Sequence, residues 1–402
     1  IRGLCGGIDF NDLWKRHASF LSQLTHHVVE GAGIINSLQD DALSQLWGIV
    51  WGLKILPTKG QRGFFKPHNS CKPLGINYGR VRTGDAEIGL HPLCAMDFPG
   101  HPTGSWDQRG TKNMSEITVT SSEQAMELEN KYGAHNYHPL PVVLAKGEGI
   151  HVWDVEGKKY FDFLSAYSAV NQGHCHPKIT ETMIEQSKKL TLTSRAFYND
   201  VLGPYAKYIT EYFGYDKVLP MNTGVEGGET AIKLCRKWAY QVKGVESNKA
   251  KILFANGNFW GRTLAACSSS TDPDCFEEYG PYMPGFELIP YNDLEALEKA
   301  LEDPNVAGYM VEPIQGEAGV VVPDEGYLAK CHEMCKAKNV LLICDEVQTG
   351  IGRTGKLLAS DYDNVKPDIL ILGKALSGGA MPVSAVLADD DIMLPIKPGQ
   401  HG

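Results

Sequence analysis

The sequence is poor in the features that would send it to a membrane, a nucleic acid or a disulfide framework. Its longest suspicious apolar run, from Leu43 to Leu56, is broken by Ser44, Gln45 and Lys54. That falls short of the roughly 20 apolar residues a spanning helix needs. Positive charge is not in excess: 38 Lys and Arg face 48 Asp and Glu, a net charge of −10. A nucleic-acid surface would need a basic patch, so that partner class is not expected. The ten cysteines are scattered without framework spacing, which in a chain of 402 residues reads as reduced thiols in an intracellular compartment. Cys331 and Cys335 flank His332, but no second ligand pair follows, so their spacing predicts one packed helix face and no metal site. Internal repeats and low-complexity tracts are absent, as is an initiating methionine.

What is present divides into two textures. Residues 1–113 carry 12 Lys and Arg against 9 Asp and Glu, leaving 26 and 39 for the remainder. Four of the seven tryptophans, Trp14, Trp47, Trp51 and Trp106, also fall in this first part. It shows no sustained helical or alternating pattern, and Gly, Pro and His interrupt it throughout. The expectation is that 1–113 is disordered or lies outside the functional protein, with Met114 as the natural start. From about Lys131, short apolar runs alternate with amphipathic stretches, the pattern of βαβ units around a parallel sheet. Lys251–Ala255, Val306–Val311, Val340–Cys344 and Ile369–Leu372 are near-continuous apolar runs, as strands covered on both faces require. The predicted fold is α/β, a mostly parallel sheet flanked by helices. Residues 114–180 are read as an N-terminal segment and 181–402 as the large domain.

Three motifs fall at the carboxyl ends of predicted strands, where open α/β sheets place ligands. Thr223-Gly224-Val225-Glu226 has capping-box spacing ahead of a helical apolar repeat, Ala231, Leu234, Cys235 and Trp238. A glycine at a helix start exposes backbone N–H groups to an anion such as phosphate. Asp345 ends the run Val340–Cys344, and a carboxylate there is costly unless a cation meets it. Lys374 ends the run Ile369–Leu372 with Gly378-Gly379 close behind, suiting a buried amine with a lowered pKa. Singly, each has an ordinary structural reading: a capped helix, a strand-end acid, a lysine reaching solvent. Together, with Asp345 29 residues before Lys374, they point to one site.

On these residues the chain resembles the class III aminotransferases of pyridoxal-phosphate (PLP) fold type I, and within them the ornithine aminotransferase branch. Further matching stretches are Lys131 to Pro139, Phe163 to His174 and Glu312 to Glu317. The resemblance implies that Lys374 forms a Schiff base with PLP and later moves a proton. It implies that Asp345 pairs with the pyridine nitrogen and Gln348 with the ring hydroxyl. Gly224 and Val225 would hold the phosphate, with Phe259 and Val347 on the two ring faces. Tyr137 and Arg262 match positions that take the α-carboxylate of L-ornithine, Tyr167 a position lining the pocket, and Glu317 a glutamate that alternates partners when 2-oxoglutarate binds. The implied assembly is a homodimer or higher homo-oligomer, in the mitochondrial matrix or the cytoplasm. Acetylornithine or 4-aminobutyrate as substrate is the rival, against which Tyr137 and Tyr167 argue.

Two departures stand out. Gly227-Gly228 occupies positions where the family usually has at least one alanine, predicting a weaker helix by up to about 1 kcal/mol per glycine. The chain also stops at His401-Gly402, ahead of the family's subunit-bridging Ser/Thr pair and its small C-terminal domain. The expectation is therefore that the 402 residues alone form an inactive fragment of an enzyme.

Overall fold

A computed structural model of the chain describes residues 79–83, 86–90 and 118–401. The chain divides into two units, residues 1–110 and 111–402. In the first, β1 (Gly79–Thr83) and β2 (Ala86–Leu90) pair antiparallel, from Gly79 opposite Leu90 to Thr83 opposite Ala86. This short hairpin was not anticipated. The expectations for the rest of 1–113 lie outside the described residues.

The second unit begins with α1 (Ser122–Tyr132) and a small antiparallel sheet of β3 (Leu144–Glu148), β4 (His151–Asp154) and β5 (Lys159–Phe161). Helices α2 (Pro177–Lys189) and α3 (Leu202–Phe213) lead into the main body. There β6 (Lys217–Met221), β7 (Lys251–Ala255), β8 (Phe286–Ile289), β9 (Val306–Val311), β10 (Leu341–Asp345), β11 (Ile369–Gly373) and β12 (Ser384–Ala388) form one sheet. Its order is β6-β12-β11-β10-β9-β7-β8. Every pairing is parallel except those of β12, which runs against both β11 and β6. The expected α/β class and mostly parallel sheet are therefore found.

Period-two alternation explains why these strands read as unbroken apolar runs. Ile252, Phe254, Ile343, Ile369 and Ile371 pack into one core with α4 (Gly224–Trp238). Their neighbours Leu253, Ala255, Leu342 and Cys344 enter a second core with α5 (Leu294–Ala300) and α6 (Tyr327–Ala337). Cys331 and Cys335 lie fully buried in that second core, on one face of α6, as their spacing predicted.

The two glycines of α4 have a packing role that the sequence does not disclose. A methyl at Gly228 would stand 2.6 Å from Trp260 Cε3, and one at Gly227 2.9 Å from Ile371 Cγ2. Trp260 cannot easily give way, since it stacks on Phe254 at 5.9 Å and its indole N–H donates to Ser269 Oγ at 2.8 Å. Alanine would gain about 1 kcal/mol of helix propensity at either position. Overpacking in a close-packed core typically costs about 1–3 kcal/mol. Gly228→Ala is therefore expected to lower stability in urea unfolding, and to lower it more than Gly227→Ala. A Gly228→Ala protein as stable as the parent would show that Trp260 is free to move.

Candidate active site

The carboxyl edge of the sheet gathers the chemistry. β6, β7, β9, β10 and β11 all point the same way, so the segments that follow them meet at one side. A cavity of about 600 Å³ opens there. Gly224, Val225, Phe259, Arg262, Asp345, Val347, Gln348 and Lys374 all line it, although they are drawn from four separate segments. Strand register supplies the alignment. Cys344 pairs with Val311, which sets Asp345 beside Glu312, and Asp345 pairs with Ile371, three residues before Lys374.

The N-terminus of α4 forms one wall. Thr223 Oγ1 accepts the Glu226 N–H at 3.3 Å, and Glu226 Oε2 accepts the Thr223 N–H at 2.9 Å, the predicted capping box. The cap satisfies those groups and leaves the Gly224 and Val225 N–H groups at the cavity, where the helix dipole also favours an anion. The loop after β7 can approach this helix only through Gly261, whose φ is 148° and whose added Cβ would lie 2.3 Å from Val225 Cγ2. The close approach brings Phe259 and Arg262 over the cavity.

On the cavity floor, one hydrogen bond reaches the Asp345 carboxylate among the described residues, from the Val347 N–H to Oδ1 at 3.0 Å. Burial pushes the Asp345 pKa up to about 6, while that N–H and the Lys374 ammonium pull it down. Burial lowers the Lys374 pKa, against the opposing pull of Asp345, Glu317 and Glu312. The lysine backbone itself is at φ 43°, a left-handed conformation that non-glycine residues adopt at a cost and mainly at functional sites. Glu346, next to Asp345, faces away: Ala359 N–H, Ser360 N–H and Thr349 Oγ1 all donate to its buried carboxylate.

These groups fit pyridoxal phosphate. Asp345 is a buried, under-satisfied carboxylate for the pyridinium, the α4 terminus offers N–H groups for the phosphate, and Lys374 is an amine made less basic by burial. Val347 and Phe259 border the space between.

The predicted substrate residues are brought in less uniformly. Arg262 lines the cavity, its guanidinium carbon 5.4 Å from the centre of the Phe259 ring and 5.6 Å from that of Tyr137. Tyr137 borders a different cavity, together with His135 and Leu140. Glu317 Oε1 accepts the Gln348 Nε2 hydrogen at 3.0 Å, so it reaches the site through Gln348. Tyr167 is half-exposed and does not line the cavity. It belongs to four consecutive left-handed residues, Ser165 to Ser168. Asp162 braces that turn by accepting the Leu164 and Ser165 N–H groups and His174 Nε2, and Arg353 donates to Ser165 Oγ. Ala169, just beyond it, is a lining residue. The sequence reading assigned no role to Glu312, although the end of the apolar run Val306–Val311 marked it as clearly as the end of the next run marked Asp345.

Comparison with known proteins agrees with this geometry. The family model for aminotransferase class-III matches residues 132–402. The chain is 70% identical over 282 residues to the mitochondrial ornithine aminotransferase of Rattus norvegicus, covering 70% of this chain and 64% of that protein. Its fold superposes on the crystal structure of the ornithine aminotransferase from Toxoplasma gondii with a TM-score of 0.71 at 54% identity, over 72% of this chain and 68% of that one. An acetylornithine aminotransferase from Elizabethkingia anophelis gives 0.63 at 59% identity, over 71% and 68%. The chain thus spans about two thirds of the length of these relatives. A seven-stranded sheet with aspartate and lysine at adjacent strand ends, a capped helix for an anion, and a matching family model over most of the second unit lead to one assignment: the chain belongs to the class-III aminotransferase family.

Proposed function

We propose that the protein is an ornithine δ-aminotransferase. It would pass the δ-amino group of L-ornithine to 2-oxoglutarate, giving glutamate 5-semialdehyde and glutamate. The observation that carries this reading is the meeting of Asp345, Lys374 and the α4 N-terminus in one cavity overhung by Arg262.

When bound, pyridoxal phosphate supplies an amino-group carrier and an electron sink. The chain's own residues then have separable tasks. Asp345, placed beside a cation, stays ionised and holds a proton on the ring nitrogen. Gly224 and Val225 N–H groups bind the phosphate, while Phe259 and Val347 confine the ring between them. Lys374 Nζ, made less basic by burial, takes and returns the proton at the substrate's amine-bearing carbon. Arg262 offers a planar fork for the ornithine α-carboxylate, with the Tyr137 ring beside it, so the δ-amine points inward. Gln348 holds Glu317 near the same mouth, where a carboxylate disfavours an acidic substrate until a cation neutralises it.

A homodimer suits the surface of the second unit. Phe163, Leu192, Phe197 and Tyr198 are between 69% and 100% exposed, an apolar display that a second copy would cover. The rat relative's name carries the word mitochondrial, which favours the matrix over the cytoplasm for this protein.

Two measurements test the reading. Protein purified from its natural source should convert L-ornithine with 2-oxoglutarate at a kcat/KM at least about tenfold above that for N-acetylornithine or 4-aminobutyrate, a difference of about 1.4 kcal/mol in transition-state binding. A preference for N-acetylornithine would move the assignment to the activity named for the E. anophelis relative. Borohydride reduction of the cofactor-loaded protein, followed by peptide mapping, should leave a pyridoxyl group on Lys374. Its appearance on any other lysine would refute the placement of the reactive amine.

A further inference from the structure

Glu312 follows β9 directly and shares the cavity with Asp345 and Lys374, yet it is only 8% exposed. Its side chain spans two loops. Oε1 accepts the Phe259 N–H at 2.9 Å, and Oε2 accepts the Gly316 N–H at 3.3 Å. Its backbone is fixed in turn, because the Tyr291 hydroxyl donates to the Glu312 carbonyl oxygen at 3.2 Å and to that of Pro313 at 3.0 Å. Elsewhere in the loop after β7, Asn258 Nδ2 donates to Ala255 O and Ser269 O, and Gln315 Nε2 to Asn256 O. These tethers hold the loop's base. At Phe259, the backbone N–H is held by Glu312.

We propose that Glu312 is a positioning residue for the cofactor: by taking the Phe259 and Gly316 N–H groups at the floor of the cavity, it sets the Phe259 ring and the neighbouring Arg262 over the space beside Asp345. This rests on reading the cavity as a pyridoxal-phosphate site. The chemistry of the floor supports it. Adjacent parallel strands end in Asp345 and Glu312, and two bare anions side by side in a buried place would be strongly unfavourable. Burial, then the Asp345 charge, push the Glu312 pKa up to about 8, against the two N–H bonds and Lys374. Two N–H groups already occupy the Glu312 carboxyl, whereas one reaches Asp345, so Asp345 is the carboxylate left open to a cation. Glutamine has the same length and keeps one accepting oxygen, enough for the Phe259 N–H, although its Nε2 cannot accept from Gly316.

The test compares Glu312→Gln, Glu312→Ala and Glu312→Asp with the parent. Three properties are read at pH 7: the dissociation constant for pyridoxal phosphate from fluorescence titration, the induced circular dichroism of the bound cofactor, and thermal unfolding without cofactor. Glu312→Gln should bind within about threefold of the parent with the same dichroism. Glu312→Ala should bind about tenfold or more weakly, with altered dichroism, because the ring that orients the chromophore is no longer fixed. A purely structural role would lower the unfolding temperature of Glu312→Ala while leaving affinity and dichroism at parent values, and that result overturns the proposal. So does a Glu312→Gln protein as impaired as Glu312→Ala, which would mean that holding the Phe259 N–H is not what positions the cofactor. If Glu312→Ala does not fold, Glu312→Asp takes its place: too short to reach Phe259, it should bind about tenfold more weakly, and parent-like binding would refute the proposal. With parent and variants made in the full natural chain, a parent that binds the cofactor but does not turn over ornithine would sink the substrate assignment and leave this comparison intact. A parent that binds no cofactor would count against both.

Discussion

A carboxylate buried at the end of a central strand governs the arrangement of this molecule. Asp345 lies 7% exposed on the floor of the cavity, with one N–H donor from the described residues and a neighbouring lysine. Taking a carboxylate out of water costs several kcal/mol unless a cation or a set of donors compensates it. Lys374 compensates it in part: burial leaves the acid less acidic and the amine less basic than in water, and the attraction between the two only partly offsets that. That mutual imperfection is useful, since a fully satisfied pair would have nothing to offer a pyridinium or a substrate proton. The continuous apolar strands around it supply the low dielectric that makes the arrangement work.

The same edge of the sheet explains why residues far apart in sequence act together. Parallel strands deliver their carboxyl ends to one side, and each contributes part of the chemistry: an anion site after β6, an aromatic and an arginine after β7, acids at the ends of β9 and β10, and an amine after β11. Glycines allow the crowding. Gly261 lets one loop reach Val225, and Gly227 and Gly228 let α4 lie against the sheet and Trp260. What looked like two weak positions in a helix is the clearance on which its packing depends.

Much of the fold was legible because burial on both faces leaves an unmistakable trace, the near-continuous apolar run ending in a charged residue. β7, β9, β10 and β11 were found this way, and so were Asp345 and Lys374. The capping box of α4 was equally plain, because its chemistry is local. Other features depend on contacts that the linear sequence does not encode. The antiparallel direction of β12 follows from a tight return beyond Lys374, and nothing in Ser384–Ala388 distinguishes it from a parallel strand. The left-handed turn from Ser165 to Ser168 contains no glycine; tethers from Asp162 and Arg353 hold it, and they come from outside the turn. The pairing of Glu317 with Gln348 spans 31 positions, and the register of β9 against β10, which seats Glu312 beside Asp345, appears only once the sheet is assembled.

The protonation state of the cofactor's ring nitrogen bears most directly on the role of Asp345. Protein loaded with pyridoxal phosphate labelled with nitrogen-15 at the ring would be compared with its Asp345→Asn variant by solid-state NMR at neutral pH. A protonated ring nitrogen in the parent and an unprotonated one in Asp345→Asn is the expected pair of results, since an amide cannot stabilise a pyridinium as a carboxylate does. Identical nitrogen signals in the two proteins would contradict it, and would mean that the buried carboxylate at the end of β10 does not serve the cofactor.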